Sequence, residues 1–290
     1  MEFLLEPLAY PFMLRGMLAA VIVGVVCAVV GVYVVLRGMA FFGDALAHTI
    51  LPGLAGGYLL HGSDRGALFW WALITAIGSA FGIGAITRSA RIREDTAIGV
   101  VFAGMFALGV ALISTVRSYS VDLTHFLFGD VLGVSSGDLW RSAIFGAAIL
   151  LLIGLLYKEL LVLTFDPILA ATIHLPTQFL EYLLLVLIAV TVVIAIQTVG
   201  VALMLAVLVT PAATASLITR RLHWMLLISA VIAAAAGVIG LYLSYYFSIA
   251  SGAAIVLTCT AFFLLTWLFS RLAERVNLRR APVGLGEQPG

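Results

Sequence analysis

Long apolar stretches fill most of the chain, interrupted at short intervals by a few charged or helix-ending residues. Nine such stretches run at roughly 12–36, 39–60, 67–87, 96–116, 138–157, 178–197, 199–218, 224–243 and 249–269. At about 1.5 Å rise per residue, stretches of this length cross about 30 Å of hydrocarbon. A transmembrane β-barrel would instead show alternating segments of about ten residues, and none stands out. The pattern therefore predicts an all-α fold: a polytopic transmembrane helical bundle of about nine spans. The first stretch is too long for a signal peptide and no small-residue cleavage site follows it, so it is read as a retained helix.

Three interruptions carry information. RSARIRED (88–95) reads as a short loop, and SYSVDLTHFLFGDVLGVSSGD (118–138) as a long, partly re-entrant connection. KELLVLTFDPILAATIHLP (158–176) reads as an amphipathic surface stretch. The end, NLRRAPVGLGEQPG, is polar and rich in Gly and Pro. Residues 1–275 are thus expected to form one transmembrane domain and 276–290 a disordered tail, with no separate soluble domain.

Nine spans put the termini on opposite sides, and the positive-inside rule chooses between them. One set of connections holds Arg37, Arg88, Arg91, Arg93, Lys158, Arg220, Arg221, Arg271, Arg275, Arg279 and Arg280; the other holds Arg15, Arg65, Arg117 and Arg141. The first set is expected in the cytoplasm, with the N-terminus outside and the C-terminus inside.

Composition agrees. The chain is 63% hydrophobic and 10% charged, with mean hydropathy +1.20. A soluble domain is near half apolar and a quarter charged. Membrane lipid is the expected surrounding, and a net charge of +1 gives no reason to invoke nucleic acid. Cys27 and Cys259 both lie in apolar stretches and read as small packing residues. The i,i+4 glycine pairs Gly53/Gly57 and Gly78/Gly82 allow close helix packing, without naming a partner helix.

The chemistry concentrates in MAFFGDALAHTILPG (39–53). Asp44 and His48 lie four residues apart, on one face of a helix. An ionisable group at membrane depth costs about 2.5–3.5 kcal/mol on insertion scales and normally faces a bundle interior or a wet cavity. One carboxylate oxygen and one imidazole nitrogen suit Mn, Fe or Zn divalent ions. Two ligands are few, but a twofold dimer with this face on its axis would supply four. Pro52 and Gly53 follow, where the helix is expected to end or bend. Two other readings stay open: a polar staple between helices, and a proton relay. Asp122, His125 and Asp130 in the long connection are weaker candidates for an entry site, and read equally as solvated loop residues.

Other motifs fall away. GVSSG (133–137) matches G-x-S-x-G but lacks the strand-turn-helix setting that a nucleophilic Ser135 needs. The single lysine, Lys158, follows no glycine-rich loop, so there is no Walker A motif. The chain is not expected to be an enzyme or to hold a permanent cofactor. Any ATP hydrolysis must come from another subunit.

YVVLRGMAFFGDALAHTILPG (33–53) resembles the N-terminal signature of the zinc/manganese/iron importer permeases, the ABC-3 family. The resemblance continues through REDTAIGVVFAGMFALGVALIS (93–114), DLTHFLFGDVLGVSSGDLW (122–140), FDPILAA (165–171), VGVALMLAVLVTPAATASLITRRL (199–222) and SGAAIVL (251–257). It covers nearly the whole chain in the family's order. It implies a type II ABC importer-like permease in a bacterial cytoplasmic membrane, working as a homodimer or close heterodimer. Its partners would be two ATP-binding cassette subunits and an external metal-binding protein.

The resemblance further implies that Asp44 and His48 hold the transported ion, a divalent transition metal. By analogy with the vitamin B12 importer class, a coupling helix to the ATPase is expected around Thr210, Pro211, Ala212, Ala213 and Thr214, ending at Arg220 and Arg221. FDPILAA is the rival coupling element. The alternative function is a proton-coupled secondary transporter using the Asp44/His48 pair, although such folds often show inverted repeats and none is evident. A metalloenzyme lacks a general base beside the pair, and a purely structural subunit would leave the pair inert.

Overall fold

A 26-residue run whose only charge is Arg15 forms the first helix, α1 (Pro11–Leu36), with Pro11 in its first turn, where a missing N–H costs no helical bond. In this computed structural model, which describes residues 6–7, 10–62, 64–90, 92–115 and 131–280, α1 is the central post. About 72% of its membrane-length window is buried, the highest share among the described spans. Small residues let neighbours approach it. Gly24 lies against Ala233, and Gly31 passes so close to the Leu208 carbonyl that any side chain there would overlap it.

The chain then continues through α2 (Ala40–Thr49), α3 (Leu51–His61), α4 (Arg65–Ser89) and α5 (Glu94–Ser114). A 3-10 turn (Val131–Gly133) leads into α6 (Ser136–Leu155), and two short helices follow, α7 (Tyr157–Phe165) and α8 (Pro167–Thr172). The last four are α9 (Thr177–Val199), α10 (Val201–Ile218), α11 (Leu222–Phe247) and α12 (Ser251–Arg280). Among the described residues there is no strand. The all-α membrane bundle read from the sequence is the fold.

Eight of these helices are individually long and apolar enough to cross a membrane. The remaining stretch expected to span, 39–60, is not one helix but two, of 10 and 11 residues, meeting at Ile50. Pro52 explains the break: it has no N–H to offer the His48 carbonyl, and its ring crowds that carbonyl. The abutting stretches 178–197 and 199–218 are two helices, separated at Gly200, whose φ of +84° suits only glycine. α12 continues as helix through Arg280, and 281–290 lie outside the described residues.

With the broken α2–α3 pair counted as one crossing, successive membrane helices run in alternate directions. Arg88 at the end of α4 meets Glu181 near the start of α9 at 3.8 Å, and Arg65 and Arg141 flank Asp138 at the other end of the bundle. Arg37, Arg88, Arg220 and Arg221 thus gather at one end, with Arg15, Arg65 and Arg141 at the other. Inside, few polar groups bind helix to helix. Ser229 of α11 donates to the Ala28 carbonyl of α1 at 3.0 Å, and the Ser142 and Thr198 hydroxyls of α6 and α9 pair at 2.9 Å. Cys27 and Cys259 are buried free thiols.

The glycine pairs differ in role. Gly53 and Gly57 seat α3 on Thr75 and Trp71 of α4, which is the partner the sequence left unnamed. Gly78 and Gly82 face open space among the described residues.

Candidate metal-transfer site

The positions of α2 divide cleanly by face. Phe42, Gly43, Ala45, Leu46, Ala47 and Thr49 are buried, and Gly43 brings α2 within reach of the Leu208 side chain on α10. Phe41, Asp44 and His48, spaced i, i+3, i+7, form the opposite stripe. The side chains of Asp44 and His48 retain 32% and 27% exposure, so neither is sealed into the core of the protomer.

His48 Nε2 lies 3.8 Å from Asp44 Oδ1. That is beyond hydrogen-bonding distance. No hydrogen bond or ion pair from Asp44 or His48 to a neighbouring helix occurs among the described residues. Two donors bound at about 2.1 Å to one tetrahedral ion stand about 3.4 Å apart. The observed separation is wider by a few tenths of an ångström, which a small side-chain rotation closes. The spacing of the pair is compatible with a shared ion. The pair is also incomplete: no group of three or more His, Cys, Asp or Glu side chains able to hold a metal occurs among the described residues.

The helix break lies just beyond His48. Gly109 of α5 sits on this break, where an added Cβ would come within 2.6 Å of Leu51 Cβ and 3.0 Å of the Pro52 nitrogen. One turn back along α5, Phe106 and Phe102 meet His48 edge-on, each with ring centroids 5.8 Å from the imidazole. The sequence reading passed over these two rings. Their i,i+4 spacing in VVFAGMFALGV was visible, but only the packing of α5 on α2 gives it meaning.

The other candidates are distributed as follows. Asp122, His125 and Asp130 lie outside the described residues; the turn after them, Val131–Gly133, packs on Gly16 of α1. Thr210, Pro211, Ala212, Ala213 and Thr214 lie within α10, not in a separate surface helix, and Pro211, Ala212 and Thr214 are buried. Only the end of that region, Thr219 to Arg221, forms the turn between α10 and α11, with Arg220 and Arg221 exposed. FDPILAA becomes the end of α7 and most of α8, capped by the Asp166 carboxylate, which accepts from the Leu169 N–H at 2.9 Å. Its apolar side chains are uncovered, with Ile168 81% exposed and Phe165 55%. Ser135 is a helix cap: its hydroxyl donates to the Asp138 carboxylate at 2.6 Å and accepts from the Asp138 N–H at 3.2 Å.

At the end of the bundle bearing Arg37, a shallow cleft opens between the end of α1, α4, α5 and α9. It is lined by Arg37, Arg88, Glu94 and Glu181. Arg37, Glu181 and Asp95 are the charges acting on Glu94. Asp44 lies only one turn into α2 from this end, about 6 Å along the axis from Ala40.

Residues 9–270 match the ABC 3 transport family. The Manganese transport system membrane protein MntC of Halalkalibacterium halodurans is 43% identical over 91% of this chain and 89% of its own. A Haemophilus influenzae protein named for iron transport is 39% identical over 94% of this chain and 99% of its own. A chain of PsaBC from Streptococcus pneumoniae, solved in complex with a Fab, superposes with a TM-score of 0.79 at 40% identity, covering 92% of this chain and 94% of that one.

Proposed function

The chain belongs to the ABC 3 transport family, and we propose that it is the membrane permease of an ATP-driven importer that passes divalent transition metal ions, Mn²⁺ foremost, across the site at Asp44 and His48. The observation that carries this is the open Asp44/His48 pair: one oxygen and one nitrogen donor, 3.8 Å apart, about one-third exposed, without a hydrogen bond to another helix among the described residues, and next to a broken span. The donor set alone serves Mn²⁺, Fe²⁺ and Zn²⁺. The relatives named for manganese favour Mn²⁺, and the one named for iron keeps Fe²⁺ as the nearest competitor.

Two donors do not complete a coordination shell, so a second copy of the chain supplies another Asp44 and His48 across the dimer. The ion arrives from an external binding protein and loses part of its water to these ligands. It leaves toward the end of the bundle rich in arginine, which is the cytoplasmic end by the positive-inside rule. The N-terminus is then outside and the C-terminus inside. A site that conducts must hold its ion only weakly enough to release it.

The ATPase subunits dock on α8 and the end of α7. Burial of Pro211, Ala212 and Thr214 favours this choice over the Thr210–Arg221 region, leaving only Arg220 and Arg221 there for a supporting contact. Phe165, Ile168, Leu169 and Ile173 are apolar side chains left exposed on a short, capped unit, which suits a protein partner. The test of the function is ATP-dependent Mn²⁺ uptake into vesicles carrying this chain with its ATPase. Loss of uptake in Asp44→Ala and His48→Ala, with normal membrane insertion, is expected; normal uptake in both variants would overturn the site.

A further inference from the structure

We propose that Phe102 and Phe106 are specificity-determining residues of the ion route: together with Phe41 they form an aromatic wall beside Asp44 and His48 that favours a cation able to shed water on that side. The inference rests on the metal reading of the Asp44/His48 pair.

The wall is continuous. Phe102 and Phe106 stack on each other at 5.9 Å with their planes 26° apart. Phe41 meets Phe102 edge-on at 6.2 Å. Both α5 rings meet the His48 imidazole in T-shaped geometry, at 67° and 89°. Phe41, Asp44 and His48 occupy one stripe of α2, so the rings lie along the same face that carries the two donors. Gly109 holds α5 close to α2 and α3 at the break, which fixes the distance between the wall and the donors.

The consequence follows from hydration chemistry. Phenyl rings offer the hydrogens of a metal-bound water only a weak π acceptor, far poorer than an oxygen. An ion at Asp44 and His48 keeps its waters more readily on the flank away from α5. Mg²⁺ is small, insists on a full octahedron and gives up water reluctantly, whereas a transition metal exchanges water for imidazole readily. Asp44 by itself would accept Mg²⁺ as well as Mn²⁺, and Mg²⁺ is the ion such a site most needs to refuse. His48 contributes chemical preference, and the rings contribute a bias against the hydrated competitor.

The experiment uses the assembled transporter in detergent, with Mn²⁺ as the probe, bound Mn²⁺ read by electron paramagnetic resonance, and Mg²⁺ as competitor. Phe102→Ser/Phe106→Ser admits water beside the donors; Phe102→Leu/Phe106→Leu keeps the wall apolar without its rings. The serine variant is expected to lower the preference for Mn²⁺ over Mg²⁺ by about tenfold or more, and the leucine variant to keep most of it. An unchanged preference in the serine variant overturns the proposal. So does loss of Mn²⁺ binding without a gain for Mg²⁺, or equal loss in both variants, since the rings would then serve packing alone. Failure of the parent metal reading looks different: the unmutated transporter would bind no Mn²⁺, or Asp44→Asn would bind it undiminished.

Discussion

Gly53→Ala adds one methyl group where α3 crosses α4, three residues past the helix break. A Cβ built there overlaps the Thr75 hydroxyl, comes within 2.5 Å of the Trp71 carbonyl oxygen and within 2.8 Å of Thr75 Cβ. The hydroxyl could rotate away, although it would lose its 2.8 Å bond to the Trp71 carbonyl. The carbonyl belongs to the α4 backbone and cannot. An ordinary contact begins at 3.4 Å, so the two helices must part by close to an ångström. Overpacking of this kind costs about 1–3 kcal/mol, and alanine returns up to about 1 kcal/mol of helix propensity over glycine. Set against that full return, the net expectation is a loss of up to about 2 kcal/mol. Gly78→Ala is the matched control, since its Cβ meets nothing within 4 Å and only the propensity gain remains. Thermal unfolding of the purified chain in detergent should move in opposite directions for the two variants. Metal uptake should fall only in Gly53→Ala, because displacement of α3 is carried through Ile50 to His48. A Gly53→Ala protein as stable as the Gly78→Ala control would refute the close α3–α4 packing and the argument built on it.

Three further outcomes are expected. Ser229→Ala removes the hydroxyl that ties α11 to the Ala28 carbonyl of α1, and should cost about 0.6 kcal/mol, at most about 1.7 kcal/mol, in an unfolding assay. Ile168→Glu on α8 should leave unfolding unchanged, because the side chain is 81% exposed, yet reduce co-purification of the ATPase; full retention of the ATPase would move docking to Arg220 and Arg221. Arg88→Gln should change stability by no more than about 0.5 kcal/mol, because its pair with Glu181 is long and both partners are partly exposed. A larger loss would mean that the charged cleft at this end is a structural anchor.

The all-α membrane architecture, the helix boundary near 198–200 and the Asp44/His48 stripe were legible from local signals. Hydropathy sets span existence, a glycine marks the α9–α10 boundary, and helical periodicity puts two side chains four residues apart on one face. The packing partners were not legible. Nothing local distinguishes Gly53, which seats α3 on α4, from Gly78, which faces open space. The same limit hid the Phe102/Phe106 wall, which exists only because α5 folds against α2. The surroundings of the two coupling candidates were hidden in the same way. TPAAT looked like a break with small residues, but α10 carries Pro211 inside the helix, and its small residues pack in the interior. FDPILAA, read from the sequence as part of an amphipathic surface stretch, keeps Phe165 and Ile168 exposed.

The most direct test is Mn²⁺ uptake, against Zn²⁺, into vesicles bearing this chain with its neighbouring ATPase, with and without ATP, in the parent and in Asp44→Ala. The account predicts uptake that requires ATP, favours Mn²⁺ and is lost in Asp44→Ala while the ATPase stays bound. Uptake that ignores ATP and follows a pH gradient, or that survives loss of the Asp44 carboxylate, would contradict it.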